Sequence, residues 1–428
     1  MPEPHAQKEQ SQIMTSALSL GPDETGTPWL GDPQHRSFLR ADALRQLLFF
    51  RPSLRVDGGF DLLDHDGSPL PDAPQELHTT TRMVHSYAIG KAAGAAGCDA
   101  MIDAGMTFLR EQHHDPRHGG YVWSVPRGDQ AGDDRKLAYG HVFVLLAAAS
   151  AQKIGHPDAP ALLREASAVL DQRFWEEGPG LFADEFTRDW QPFSDYRGMN
   201  ANMHGVEALL TAYEATGEEI YLTRAGRILE FFLSRMAPAR DWRIPEHYTA
   251  DWQVDPAYQG NPMFRPTGTT PGHSLEFARL VLQHWDLAGR PDSGAPDRAA
   301  QLVDRALADA WLPEGGLAYT LDDSGAVAVR NRYWWPVTEA IGALAALQKI
   351  APSDAREGWY RRLWRFADAH LVDHAKGGWI PELDAEGKPA ATQFQGKPDL
   401  YHALQATLFP LDRGLSRHEP RLADPLPI

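Results

Sequence analysis

The sequence predicts an all-α protein: an (α/α)6 barrel of six helical hairpins, with short β-hairpin insertions at the active-site end. Three observations carry that expectation. A glycine-plus-bulky-residue signature returns along the chain at roughly 60- to 75-residue spacing. Two stretches of helical periodicity lie between successive copies. Alanine-rich stretches such as Leu145 to Ala151 and Ala340 to Leu347 suit helices packed closely on two sides, as an inner ring requires.

The signature appears as Gly58-Gly59-Phe60, Gly119-Gly120-Tyr121, Gly180-Leu181-Phe182, Gly315-Gly316-Leu317 and Gly377-Gly378-Trp379, with a weaker sixth copy at Trp242-Arg243-Ile244-Pro245-Glu246. Most copies lead into a short extended run and an acidic or glycine-containing turn. Asp64-His65-Asp66-Gly67, Asp322-Asp323-Ser324-Gly325 and Asp384-Ala385-Glu386-Gly387 read as hairpin turns. Helices are expected over 34–50, 76–92, 97–112, 136–152, 159–175, 200–215, 220–236, 272–288, 296–311, 334–349, 355–371 and 399–408. Caps are expected from Asp134, from Thr270-Pro271 and from Asp399. An open six-repeat solenoid is the alternative, and it would leave capping units at both ends.

Composition limits the function classes. Acidic residues outnumber basic ones 58 to 41, a formal charge of -17 that disfavours nucleic acid. The single cysteine, Cys98, forms no intramolecular disulfide and points to a reducing compartment. Residues 1–27 are polar and turn-rich without the features of a secretory signal, and read as a disordered tail ahead of one catalytic domain over 28–428. The longest apolar stretch, Val142 to Ala149, is far short of the ~20 residues that cross a bilayer. A cytoplasmic protein, monomer or homodimer, with no membrane partner is expected.

In a ring of hairpins the first turns of the inner helices converge on one cavity. Those positions carry Arg82, Tyr139, Asn200 with His204, His273 with Glu276, Trp335 with Glu339, and His402. Asn200 and His204 are four apart and His273 and Glu276 three apart, so each pair shares a helical face. Neutral histidine exchanges protons near pH ~6.5, which suits a general base. Polar side chains at equivalent repeat positions are poor core filling, because buried polar groups must be paired. The tract His113-His114-Asp115-Pro116-Arg117-His118 offers metal-type ligands but no regular spacing on a rigid element, so no metal is expected. Neither a phosphate-cradling loop nor a dinucleotide fingerprint is present, and no cofactor is expected.

Arg82-Met83-Val84-His85, Met199-Asn200-Ala201-Asn202-Met203-His204, Pro271-Gly272-His273-Ser274-Leu275-Glu276, Trp334-Trp335-Pro336 and Asp399-Leu400-Tyr401-His402 occur in this order. Together they resemble the N-acylglucosamine 2-epimerase superfamily, over roughly residues 30 to 412, and most of all its aldose–ketose isomerase branch of mannose and sulfoquinovose isomerases. The resemblance implies ring opening and a cis-enediol route between D-mannose and D-fructose, extending to D-lyxose and D-xylulose. His402 would move the proton between C1 and C2. His273 would assist ring opening with Glu276 orienting it, and Arg82, Tyr139, Asn200, His204, Trp335 and Glu339 would hold the monosaccharide. Within the superfamily the rival is a 2-epimerase of the N-acylglucosamine or cellobiose type. From other classes come an inverting glycosidase recruiting Glu185, Glu246, Glu276 or Glu382, and a non-catalytic sugar-binding module.

Overall fold

The computed structural model describes residues 19–22, 27–261, 263 and 265–416. Most of the tail expected over 1–27 lies outside them. Within that stretch, Leu20 and Pro22 offer carbonyls to the His35 ring and the Trp29 indole.

All of the expected helices are present: α1 (Pro33–Phe50), α2 (Leu77–Ala92), α3 (Asp99–Phe108), α4 (Ala138–Lys153), α5 (Ala159–Val169), α6 (Met199–Thr216), α7 (Glu219–Leu229), α8 (Pro271–Leu287), α9 (Ala295–Ala310), α10 (Trp334–Ile350), α11 (Asp354–His370) and α12 (Tyr401–Leu408). The even-numbered helices pack side to side in order, and α12 returns to α2, closing the ring. The odd-numbered helices lie outside. Each of α3, α5, α7, α9 and α11 backs the inner helix before it, while α1 backs α12, so the sixth hairpin joins the two ends of the chain. This closure excludes the open solenoid. Sequence explains the layers. Almost every residue of α4 and α10 is buried, as helices with neighbours on both sides require. The outer helix α9 buries only one stripe, Ala299, Leu302, Val303, Ala306, Leu307 and Ala310.

The three expected hairpins form locally, Leu62–Leu63 with Pro69–Leu70, Thr320–Leu321 with Val327–Val329, and Leu383 bridged to Pro389 across the Asp384–Gly387 turn. A second pairing runs between repeats. The residues before each inner helix pair antiparallel with the segment after its outer partner: Gln75–Glu76 with Ser124–Val125, Lys136–Leu137 with Glu185–Phe186, Arg197–Gly198 with His247–Tyr248, and Arg332–Tyr333 with Glu382–Leu383. Single bridges, Thr269 to Leu321 and Leu63 to Lys397, complete the six.

These clips satisfy the first N–H of most inner helices, where side-chain caps were expected at three. The N–H groups of Leu77, Ala138, Met199 and Trp334 donate to the carbonyls of Trp123, Asp184, Glu246 and Pro381. Asp134 therefore caps nothing, and Thr270 makes no side-chain cap bond although Pro271 opens α8. Asp399 lies one residue ahead of the N-cap Leu400 and accepts from the Tyr401 N–H at 2.9 Å as a turn bond.

A basic residue at three of the clips ties a turn down. Lys136 reaches Asp115 (3.1 Å) and the Gly119 carbonyl, Lys397 reaches Asp373 (2.8 Å) and the Gly377 carbonyl, and Arg332 reaches Glu314 (2.7 Å) and the Gly315 carbonyl. In the weak sixth copy Asp241 and Trp242, at φ 53° and 64°, take the left-handed backbone that glycines supply elsewhere. No helix among the described residues is long and apolar enough to cross a membrane.

Candidate active site

The clips set the first turns of the inner helices at one end of the ring, and the side chains there line one pocket. His78, Tyr139, Asn200, Trp335 and His402 are each the second residue of their helix, His273 is the third of α8, and Arg82, His204 and Glu276 are sixth residues. Asp399, Trp334, Met263, Pro398 and Phe394 complete the wall. Of the residues expected from sequence, only Glu339 is missing from the wall. It stands behind His402, away from the pocket face, because its carboxylate accepts from His402 Nδ1 at 2.8 Å.

Each of the three histidines deepest in the chemistry has a carboxylate on Nδ1. His273 Nδ1 lies 3.0 and 2.9 Å from the two oxygens of Glu246, and His204 Nδ1 lies 3.1 Å from Glu207. The partner of His273 is thus Glu246 and not Glu276, since the clip after α7 carries Glu246 up against α8. Glu276 instead points across the ring, 3.7 Å from His204 Nδ1. An ionised carboxylate only accepts, so it fixes the proton on Nδ1 and leaves Nε2 as a lone pair. Burial pulls the His402 imidazole below the usual histidine value against the opposing pull of Glu339. Burial likewise takes His204 down to about 4. At neutral pH both are neutral, as a base must be.

Arg82 forms the opposite wall. It donates to Asp399 (3.0 Å) and to the Tyr139 hydroxyl (2.9 Å), with its guanidinium over the rings of Phe143 and Tyr401 at 4.8 and 4.7 Å. Burial would raise the Asp399 carboxyl, but the Arg82 cation outweighs it and holds Asp399 below the ordinary carboxylate value. Burial pushes the Tyr139 phenol up to about 12, so it stays a hydroxyl donor. The Trp335 indole lies beside both candidate proton carriers, its centroid 5.0 Å from His273 and 5.8 Å from His402.

Sequence reasoning missed His78, which stacks on Trp123 at 5.2 Å and is kept neutral by burial, at about 3. Its place as second residue of α2, matching Tyr139 and Asn200, was the available signal. The His113–His118 tract is structural. His113 bonds Thr80 at 3.0 Å, His114 faces Glu165, and Asp115 receives Lys136 and Arg188. Below the pocket, ligand-type atoms of His204, Glu207 and Glu276, and of Glu276, Glu339 and His402, lie within 4.8 Å of one another. The guanidinium of Arg279 already stands among these carboxylates, 3.9 Å from Glu276 and 3.7 Å from Glu339. The cluster is therefore an ion and hydrogen-bond network supporting the imidazoles.

The chain belongs to the N-acylglucosamine 2-epimerase family, whose model matches residues 58–406, and its relatives make it an isomerase. It is 41% identical over 393 residues to the D-mannose isomerase of Thermobifida fusca, across 90% of this chain and 96% of that one. It is 38% identical to the D-mannose isomerase of Pseudomonas cannabina pv. alisalensis, across 91% and 95%. A solved D-mannose isomerase superimposes with TM-score 0.82 at 32% identity, covering 88% of this chain and 97% of that one. A cellobiose 2-epimerase from Bacillus thermoamylovorans, at 19% identity and TM-score 0.77, shares the fold.

Proposed function

We propose that the protein interconverts D-mannose and D-fructose, with D-lyxose and D-xylulose as a second pair, by ring opening and a cis-enediol without a metal ion. The observation that carries this reading is the pair of imidazoles, His273 and His402, each held by a carboxylate and set beside one indole in the pocket walled by Arg82. His273 Nε2 assists ring opening by moving the proton between the ring oxygen and the C1 hydroxyl. In the open aldose, His402 Nε2 takes the C2 proton while the C2–H electrons form the C1=C2 bond and the carbonyl electrons move to O1. Arg82 and the Tyr139 hydroxyl stabilise that oxyanion. His273 carries the O2 proton to O1, and imidazolium His402 returns its proton to C1, leaving the carbonyl at C2. A positioned base contributes about 10²- to 10⁴-fold to such a step.

The similarity to D-mannose isomerases supports mannose as the aldose. The glycosidase reading loses ground because Glu185 is engaged by Arg265 and Ser194, and Glu382 by backbone N–H groups of Thr392 and Gln393. The test is chelator-treated protein with D-mannose in heavy water, followed by NMR. Fructose carrying solvent deuterium is expected. Glucose as primary product would replace the reading with 2-epimerisation, and monosaccharide released from a disaccharide would replace it with hydrolysis.

A further inference from the structure

We propose that Arg279 is a positioning residue for the proton transfer: lying between Glu276 and Glu339, its guanidinium keeps Glu339 an anionic acceptor and so keeps the His402 proton on Nδ1 and the lone pair on Nε2. The inference rests on the isomerase reading, in which His402 moves the proton.

Arg279 sits on α8 one turn deeper than Glu276 and is 2% exposed. Its Nε is 3.7 Å from Glu339 Oε2 and its Nη2 is 3.9 Å from Glu276 Oε1. The other oxygen of Glu339, Oε1, is the one that accepts from His402 Nδ1. The two oxygens of Glu339 are thus divided between the imidazole and the arginine. The neighbouring helix accommodates this. Gly342 follows Glu339 by three residues on α10, and a Cβ there would stand 3.3 Å from Arg279 Cδ, tighter than ordinary packing.

The groups facing Glu339 and His402 are Glu276 and Arg279 from α8, Asp399 beside α12, Arg82 from α2, and His204 with Glu207 from α6. Glu276 and Glu339 approach within 4.8 Å. Two buried carboxylates that close do not both ionise unless a cation is set against them. Arg82 is engaged by Asp399, 3.0 Å away. Without the Arg279 charge the pair retains a proton. On Glu339 that proton is donated to His402 Nδ1, which drives the imidazole proton to Nε2 and removes the lone pair that must face the sugar. A serine-protease triad whose orienting carboxylate becomes an amide fails in this way, losing about 10⁴-fold in rate through the wrong tautomer.

The test compares wild type with Arg279→Met, Arg279→Lys, Glu339→Gln and the Met/Gln double variant, all with folding checked by thermal melts. For Arg279→Met, kcat for mannose falls by about 10²-fold with KM within about twofold, and the acid limb of the kcat profile moves up by about one pH unit. Arg279→Lys recovers part of both effects, and the double variant is no worse than Glu339→Gln by more than about twofold, since both act through one imidazole. Nitrogen-15 histidine spectra report the His402 tautomer directly, and Arg279→Met moves it toward Nε2–H. A folded Arg279→Met protein with the wild-type tautomer and an unshifted acid limb overturns the inference. Should Arg279→Met not fold, the lysine variant decides by the same two readouts. Wild-type protein that makes no fructose from mannose overturns the functional reading instead, while the tautomer comparison still judges Arg279.

Discussion

Gly272→Ala isolates the placement of Trp335 from the chemistry around it. Gly272 is the second residue of α8, the position that supplies pocket side chains in α2, α4, α6, α10 and α12. A Cβ built there would stand 2.7 Å from Trp335 Cη2 and 3.0 Å from Pro336 Cβ, with Cζ3 of the indole closer still. Ordinary contact begins at 3.4 Å, so the indole must retreat by about 0.7 Å or more, and it cannot do so without disturbing His273 or His402 beside it. Displacements near 1 Å in a reacting assembly cost about 10²-fold in rate. The backbone at Gly272 is helical, so alanine gains about 0.5–1 kcal/mol of helix propensity, against about 1–3 kcal/mol for overpacking. The expectation is a folded protein, at most about 2.5 kcal/mol less stable, with kcat/KM for mannose down by about 10- to 100-fold. Coupled-assay kinetics and a thermal melt measure the two sides. Activity within about twofold of wild type would refute the claim that this glycine exists to seat the indole.

His402→Ala should remove solvent deuterium incorporation at C1 and C2 and lower kcat by at least about 10²-fold, as followed by NMR. Lys136→Met deletes the buried cation beside Asp115, which keeps Arg188 at 3.0 Å, and should destabilise by about 1–3 kcal/mol, read as a lower urea midpoint; a change under about 1 kcal/mol would sink the clamp interpretation. Stability should also fall in mild acid. His35 and His113 are held neutral at about 4 by burial, below their unfolded value near ~6.5. The unfolded chain therefore binds more protons between those values, so this contribution is intact above pH ~6.5 and is lost at about 1.4 kcal/mol per unit per histidine as pH falls toward 4. Urea midpoints from pH 7 to pH 4 check it.

The ring and most of the pocket were legible because both are written in periodic order. Four of the six inner helices, α2, α4, α6 and α10, begin 18 or 19 residues after a glycine turn, so Tyr139, Asn200 and Trp335 could be placed on one cavity from spacing, and His402 from its place in the last hairpin. What escaped depends on contacts between repeats. Glu246 reaches His273 only because the strand after α7 pairs with the strand before α6, and no local pattern joins residues 27 apart in that way. Arg279 reads as an ordinary i,i+3 partner of Glu276 until α10 is set against it. Asp134 suggested a cap because acidic residues before helices usually are caps, whereas the carbonyl of Asp184 already satisfies the first N–H of α4. The closing of α1 on α12 needs the whole ring.

The repeat also separates holding the fold from doing the chemistry. In four of the six clips the first residue is basic, Lys136, Arg197, Arg332 or Lys397, and spends its charge on an acidic residue away from the pocket. Three positions after Lys136, Arg197 and Arg332, and five after Lys397, the second helical residue faces the pocket. A substitution there leaves the clamp in place, which lets Tyr139, Asn200 and Trp335 differ from one another on identical supports. The carboxylates one turn deeper link these positions into pairs, His402 with Glu339 and His204 with Glu207. Because those pairs are formed by side chains on rigid inner helices and not on loops, the tautomer of each imidazole is set before any ligand arrives, and under the proposed isomerisation His402 meets the sugar with its Nε2 lone pair already in place.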